Sequence, residues 1–184
     1  MTETPHPDHS GQAITIQKVD PILSTGVVVS TTAQLPDGRL EDRHAAYHDN
    51  ISPPLRWTAV PDAKAWAVVV EDPDAPQEAP FVHWMIWNIP GPARGLPEGV
   101  ANTPGLATPH GAVQGRNGQH GFGYFGPLPP AGHGLHHYYF QVFALDEAID
   151  MGPETPLHDL LNALKARTLA SGELVATYEA PTRQ

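Results

Sequence analysis

The chain has 184 residues, 40% of them hydrophobic and only 16% charged, so it can bury the core of one domain and should not be disordered. Its formal net charge of −10 argues against nucleic acid or an anionic membrane surface as the main partner. Cysteine is absent, which excludes disulfides, thiolate metal sites and a cysteine nucleophile, and is compatible with the cytoplasm.

Residues 1–12 are polar and contain proline, and they lack the basic and apolar regions of a signal peptide. We predict that they form a flexible tail and that residues 13–184 form a single domain. No segment approaches the roughly 18 consecutive apolar residues of a membrane-spanning helix, so no integral membrane contact is expected.

Several short segments have the alternating or β-branched pattern of strands, separated by glycine and proline. They are residues 13–19, 24–31, 66–70, 81–90, 136–146 and 173–180. A long segment rich in glycine and proline, 111–134, is predicted to be an ordered loop. Short strands with frequent turn signals are typical of an antiparallel β-sandwich, which is the fold class we predict.

One helix is predicted near residues 156–170. Its leucines at 157, 160, 161 and 164 follow the i, i+3, i+4, i+7 spacing of a helix with one buried face. Thr155 is the expected N-cap, and Gly172 is expected to end the segment. The predicted fold is therefore all-β, with a few short helices and this C-terminal helix.

Polar side chains gather where the central strands begin or end. Asp72 and Asp74 flank a proline after one strand, and His83 begins the next. His136 and Tyr138 are two residues apart at the start of a third strand, so they point to the same face. If the three strands are neighbours, these five side chains line the mouth of one cavity.

Each of these residues also has a purely structural interpretation. An Asp-Pro-Asp sequence is most often a turn whose carboxylates bind local N–H groups, and a single histidine or tyrosine in an apolar strand is most often core. A zinc site built from His133, His136 and His137 is less favoured, because neighbouring strand residues point to opposite faces. No G-x-S-x-G nucleophile motif is found, and no metal or cofactor is predicted.

Three of these segments resemble one known family. "DPDAP" (72–76), "HW" followed by "WNIP" (83–90) and "GYFGPLPPAGHGLHHYYFQVFALD" (123–146) resemble the phosphatidylethanolamine-binding protein family. "ISPPLRW" (51–57) and "AVQGRN" (112–117) are similar to its bacterial Raf-kinase-inhibitor-like branch. The resemblance extends from about residue 13 to 179. It implies two antiparallel sheets and a small pocket for phosphate, acetate or a phosphorylethanolamine head group.

The resemblance also implies which residues bind the ligand. They are Asp72, Asp74, His83, Pro129, Pro130, His136 and Tyr138. His137 stands where the family usually has arginine. The resemblance and the two closely spaced prolines make Ala75–Pro76 a candidate for a cis peptide bond.

Both a binding protein and an enzyme are compatible with these residues. Protonated His83 or His136 and the Tyr138 hydroxyl can donate to an anion, while an aspartate can fix a histidine tautomer or accept from an ammonium group. The favoured hypothesis is a ligand-binding protein for a small anion or zwitterion that modulates partner proteins. The alternatives are a hydrolase or lyase with a His–Asp general base, and an interaction protein with a degenerate pocket. The resemblance is compatible with a homodimer, and the sequence does not identify a protein partner.

Overall fold

The structure is a computed structural model that describes residues 12–182. It has eight strands and one α-helix in the order β1 (Val29–Ser30), β2 (Leu55–Trp57), β3 (Ala65–Asp72), β4 (Phe81–Pro90), β5 (Gly95–Leu96), β6 (Val113–Gln114), β7 (His136–Leu145), α1 (Leu157–Arg167) and β8 (Thr168–Tyr178). Two 3-10 helices cover Thr15–Lys18 and Asp42–His44. The predicted tail lies outside the described residues, except for Gln12.

The strands form two antiparallel sheets. The larger sheet has the order β6-β4-β3-β7-β8, and the smaller sheet has the order β1-β2-β5. One side of β3 and β7 packs toward the smaller sheet in a shared core that includes Leu55, Trp57, Trp66, Val68 and Phe140. The predicted all-β sandwich of antiparallel sheets is confirmed.

The other side of the larger sheet is covered by helix α1. Phe143 and Leu145 of β7 point away from the smaller sheet and pack with Leu160 and Leu164 of the helix. This arrangement follows from the two periodicities, since strand residues alternate between faces and helix residues recur every three or four positions. β3 and β7 are therefore buried on both sides, which gives rigid support to the residues at their ends.

The predicted strand at 13–19 is wrong. This segment contains a 3-10 helix, because its amide groups bind buried side chains instead of a neighbouring strand. Thr15 N donates to Glu71 Oε2 at 2.8 Å, and Ile16 N donates to Gln141 Oε1 at 2.6 Å. The predicted strand at 24–31 shortens to β1.

The helix is also shorter than predicted. Pro156 is its N-cap, whereas the Thr155 hydroxyl donates to Gly152 O at 2.6 Å and does not cap the helix. Gly172 lies inside β8, where a side chain would collide with the carbonyl group of Val27. Close backbone approach, and not helix termination, accounts for this glycine. Within residues 12–182, no helix has the length and apolar character needed to cross a membrane.

Candidate functional site

The end of β3 meets the beginnings of both of its neighbours. β3 lies between β4 and β7, with Asp72 paired to Phe81 and Glu71 paired to Tyr139. The antiparallel register therefore places the polar residues after β3 beside the first residues of β4 and β7. The three strands are therefore adjacent, as the predicted site requires.

A small cavity of about 150 Å³ opens at this edge of the sheet. Its wall is formed by Asp72, Ala75, Pro76, Gln77, Phe81, His83, Gln119, Phe125, Leu128, Pro129, Pro130 and His136. Five of the seven predicted ligand-binding residues belong to this wall. The two others, Asp74 and Tyr138, lie behind it and do not line it.

The Asp72 carboxylate is buried and fully engaged. Its Oδ1 accepts from the backbone N–H of Asp74 at 2.8 Å, and its Oδ2 accepts from His136 Nδ1 at 2.7 Å. Because a carboxylate only accepts, the His136 proton lies on Nδ1 and its Nε2 is the remaining polar atom of the ring. Asp72 thus fixes both the turn and the orientation of His136.

The turn after β3 does not contain a cis peptide bond. The Asp72–Asp74 bond and a second bond from Gln77 N to Ala75 O at 2.8 Å close it with Ala75–Pro76 in the trans form. The cis bond in the described part of the chain is Thr108–Pro109, so the prediction for Ala75–Pro76 is wrong.

His83 is a neutral histidine, contrary to its predicted role as a protonated donor. Burial lowers the pKa of His83 to about 4, although hydrogen bonding to the Phe125 carbonyl and the charge of Asp72 act in the opposite direction. Nδ1 donates to Phe125 O at 2.6 Å, and the ring stacks on Phe125 with centroids 6.0 Å apart. The unprotonated Nε2 is consequently an acceptor for the cavity.

Tyr138 contributes a buried hydroxyl group directly behind this histidine. Its ring meets His83 edge-on with centroids 5.1 Å apart, and only 1% of the residue is exposed. Within the part of the chain that the structure describes, the hydroxyl has no hydrogen-bond partner. Burial raises the pKa of Tyr138, so the hydroxyl stays protonated and can donate. A buried unpaired donor is uncommon in native proteins and marks this position for attention.

Asp74 forms a separate pair with His137. Its Oδ2 accepts from both the backbone N–H and Nδ1 of His137, each at 2.8 Å. His137 points to the opposite side of β7 from His136, which explains why Asp74 lies behind the cavity wall. His137 therefore anchors the turn after β3 to the start of β7.

Sequence reasoning missed the aromatic and loop residues of the wall. Phe81 lies 4.7 Å from the His83 ring, and the 123–130 loop is fixed by bonds from Gly126 N to Asn50 Oδ1 at 2.7 Å and from Tyr47 to Pro129 O at 2.6 Å. The aromatic residues in "FVHW" and "YFGP" were the available signal. No sequence signal indicates the contacts to residues 47 and 50, because they join segments that are distant in the sequence.

A larger cleft of about 650 Å³ lies on the other side of the 129–136 loop. Its ionisable lining groups Arg39, Asp42, His48 and Glu179 are all exposed, and the Tyr178 hydroxyl donates to Asp42 at 3.1 Å. It has no buried unpaired donor among its described residues. We therefore place the candidate site in the smaller cavity.

Metal binding is not suggested by the side-chain arrangement. Across residues 12–182, no three histidine, aspartate or glutamate side chains come together in a way that could hold a metal ion.

Comparison with known proteins gives a consistent result. The family model described as phosphatidylethanolamine-binding protein matches residues 29–179. A UPF0098 protein of Methanothermobacter thermautotrophicus is 41% identical over 142 residues, which are 77% of this chain and 91% of that protein. The crystal structure of Escherichia coli YbcL, described as a new member of the mammalian PEBP family, has a TM-score of 0.78 and 33% identity over 85% of this chain and all of that one. A putative homologue of the same family from Chlamydia trachomatis, CT736, has a TM-score of 0.75 and 29% identity over 86% of this chain and all of that one.

Proposed function

This chain belongs to the phosphatidylethanolamine-binding protein family, and on that basis we propose that it is a ligand-binding protein whose small cavity takes an anionic or zwitterionic group such as a phosphorylethanolamine head group. The observation that carries the proposal is the unpaired, buried hydroxyl of Tyr138 behind a cavity walled by Asp72, His83 and His136. A buried donor without a partner is destabilising by itself, and a ligand oxygen that enters past the His83 ring to the Tyr138 hydroxyl would satisfy it.

The size of the cavity limits the ligand. At about 150 Å³, the cavity is well below the roughly 300–1,000 Å³ typical of pockets for drug-sized molecules. A head group or a small organic acid fits this volume, while a complete lipid does not.

The charge of the wall limits the ligand further. None of the residues that line the cavity is lysine or arginine, and His83 is neutral. A dianion would therefore enter without a fixed positive charge to compensate it. A monoanion, or a zwitterion that offers an oxygen to Tyr138 and an N–H to His83 Nε2, suits the available groups better.

Calorimetric titration with acetate, phosphate, ethanolamine and phosphorylethanolamine tests the proposal. We expect phosphorylethanolamine to bind at one site per chain and more tightly than phosphate or ethanolamine. Tyr138→Phe should weaken its binding by about tenfold, corresponding to about 1.4 kcal/mol for one lost hydrogen bond. Tyr178→Phe, which removes a tyrosine hydroxyl from the larger cleft, is the matched control and should bind normally. The proposal is wrong if none of the four probes gives saturable binding.

One observation favours a second candidate function, a hydrolase or lyase. The Asp72–His136 bond of 2.7 Å has the geometry of a carboxylate that orients a general base. Turnover of small esters and phosphoesters that is lost in His136→Gln would support this alternative. Binding without turnover of any substrate in the panel would reject it.

A further inference from the structure

His133 extends the Asp72–His136 pair into a chain of three polar side chains. His136 Nε2 lies 2.6 Å from His133 Nδ1, and the two ring centroids are 4.9 Å apart. At this distance the two nitrogens can share only a single proton, because two protons would face each other. The remaining polar atom of His136 is thus already bound to another residue of the chain.

The two histidines differ in how firmly they are held. His136 is 1% exposed and is fixed by Asp72, whereas His133 is exposed on the loop before β7. The loop backbone is tied by a bond from His133 N to Pro130 O at 3.0 Å. Gly132 and Gly134 on either side have positive φ angles, and a Cβ at either position would meet nothing within 4 Å. Because His133 is exposed, its ring can move into solvent, while His136 cannot move without breaking the pair with Asp72.

We propose that His133 is a displaceable residue of the binding site, which occupies His136 Nε2 until a ligand replaces it. His136 belongs to the cavity wall and its Nδ1 is bound to Asp72, so a ligand can reach its ring only through Nε2. The inference rests on the proposed function, because it requires a ligand in this cavity.

This arrangement selects for polar ligands. A ligand that displaces His133 breaks one hydrogen bond to a buried ring nitrogen, and only a ligand atom that forms a new bond to that nitrogen compensates the loss. Removal of the His133 side chain abolishes the competition and should therefore increase affinity. One net hydrogen bond corresponds to an increase of about 2- to 10-fold.

Titration of His133→Ala with acetate tests the inference, since acetate is a monoanion that fits the cavity and keeps one charge near neutral pH. We expect acetate to bind His133→Ala about 2- to 10-fold more tightly than the unmodified chain. His133→Asn, whose side-chain amide can place an N–H near the position of His133 Nδ1, should keep the competition and bind acetate like the unmodified chain. His110→Ala, which removes another exposed histidine away from the cavity, is the control and should leave the affinity unchanged.

Imidazole ¹⁵N spectra provide a second readout of the same variants. Addition of acetate to the unmodified chain should shift the His133 nitrogen signals toward those of a histidine in water. Equal or weaker acetate binding by His133→Ala would overturn the role of His133 and leave the proposed function intact. Absence of acetate binding to every variant would overturn this inference, and only the additional absence of phosphate, ethanolamine and phosphorylethanolamine binding would remove the proposed function.

Discussion

The Asp72 carboxylate and the His136 ring join two neighbouring strands by a buried bond of 2.7 Å from Nδ1 to Oδ2. Asp72 ends β3 and His136 begins β7, and both side chains are almost completely buried. This hydrogen bond therefore stabilises the edge of the sheet and also orients His136 in the cavity wall. Polar groups buried in this way are costly to separate.

Asp72→Asn should destabilise the protein and weaken ligand binding together. The substitution replaces the carboxylate that accepts from His136 Nδ1 and from the backbone N–H of Asp74. We expect the free energy of unfolding in urea to fall by about 1–3 kcal/mol. Asp150→Asn, at an exposed position, should change it by less than about 0.5 kcal/mol. Equal effects of the two variants would contradict the assigned role of Asp72.

Loss of the hydroxyl group should change the stability of the protein differently at two buried tyrosines. Tyr124 donates to His44 O at 2.9 Å, so Tyr124→Phe leaves a buried carbonyl with one bond fewer and should cost about 1–3 kcal/mol of stability. Tyr138→Phe removes a hydroxyl without a partner among the described residues and should leave the stability unchanged or higher. Urea unfolding of the two variants measures the contrast. A large loss of stability in Tyr138→Phe would mean that its hydroxyl has a structural partner.

The buried neutral state of His83 should make stability depend on pH. Its pKa is about 4 in the folded protein against an ordinary value of 6.5, so the unfolded chain takes up the proton first as the pH falls. The contribution of neutral His83 to the free energy of unfolding is complete above pH 6.5 and is lost as the pH decreases toward 4. Its total is on the order of 3 kcal/mol.

His83→Asn isolates this contribution, because the asparagine amide can donate to Phe125 O from near the position of Nδ1 but does not titrate. We expect the stability advantage of the unmodified chain over the variant to decrease between pH 7 and pH 5 in urea titrations. A difference that stays constant over this range would mean that His83 titrates normally in the folded protein.

The pair between Asp74 and His137 should tolerate arginine but not alanine. Asp74 accepts from the His137 ring at 2.8 Å, and both side chains are mostly buried, with 12% and 16% exposure. His137→Ala should lower the melting temperature, because it removes a hydrogen bond to the Asp74 carboxylate that is worth about 1.5–3 kcal/mol. His137→Arg restores a donor of the kind that the family usually has there, and should preserve most of the stability. The interpretation fails if the arginine variant is as unstable as the alanine variant.

The fold could be predicted from the sequence because its central strands carry a strong local signal. Residues 65–72, 81–90 and 136–145 are apolar on both sides, and their alternation correctly assigned His136 and His137 to opposite faces. The segment 13–19 was misassigned because its conformation depends on Glu71 and Gln141, which are distant in the sequence.

The candidate site was predictable in its members but not in their chemistry. Placing Asp72, His83 and His136 at one edge follows from the positions of strand ends. The neutral state of His83 does not, because it results from burial beneath Phe81 and Phe125. The partnership of Asp74 with His137, and that of His133 with His136, depends on side-chain geometry that alternation alone does not specify.

The central claim, that the smaller cavity binds the ligand, is tested most directly by mapping amide chemical shifts during titration with phosphorylethanolamine. We predict saturable shifts concentrated in residues 72–77, 119 and 125–136, and none at Arg39, Asp42 or Glu179 in the larger cleft. Saturable shifts at those three residues, with residues 72–77 unaffected, would contradict the account.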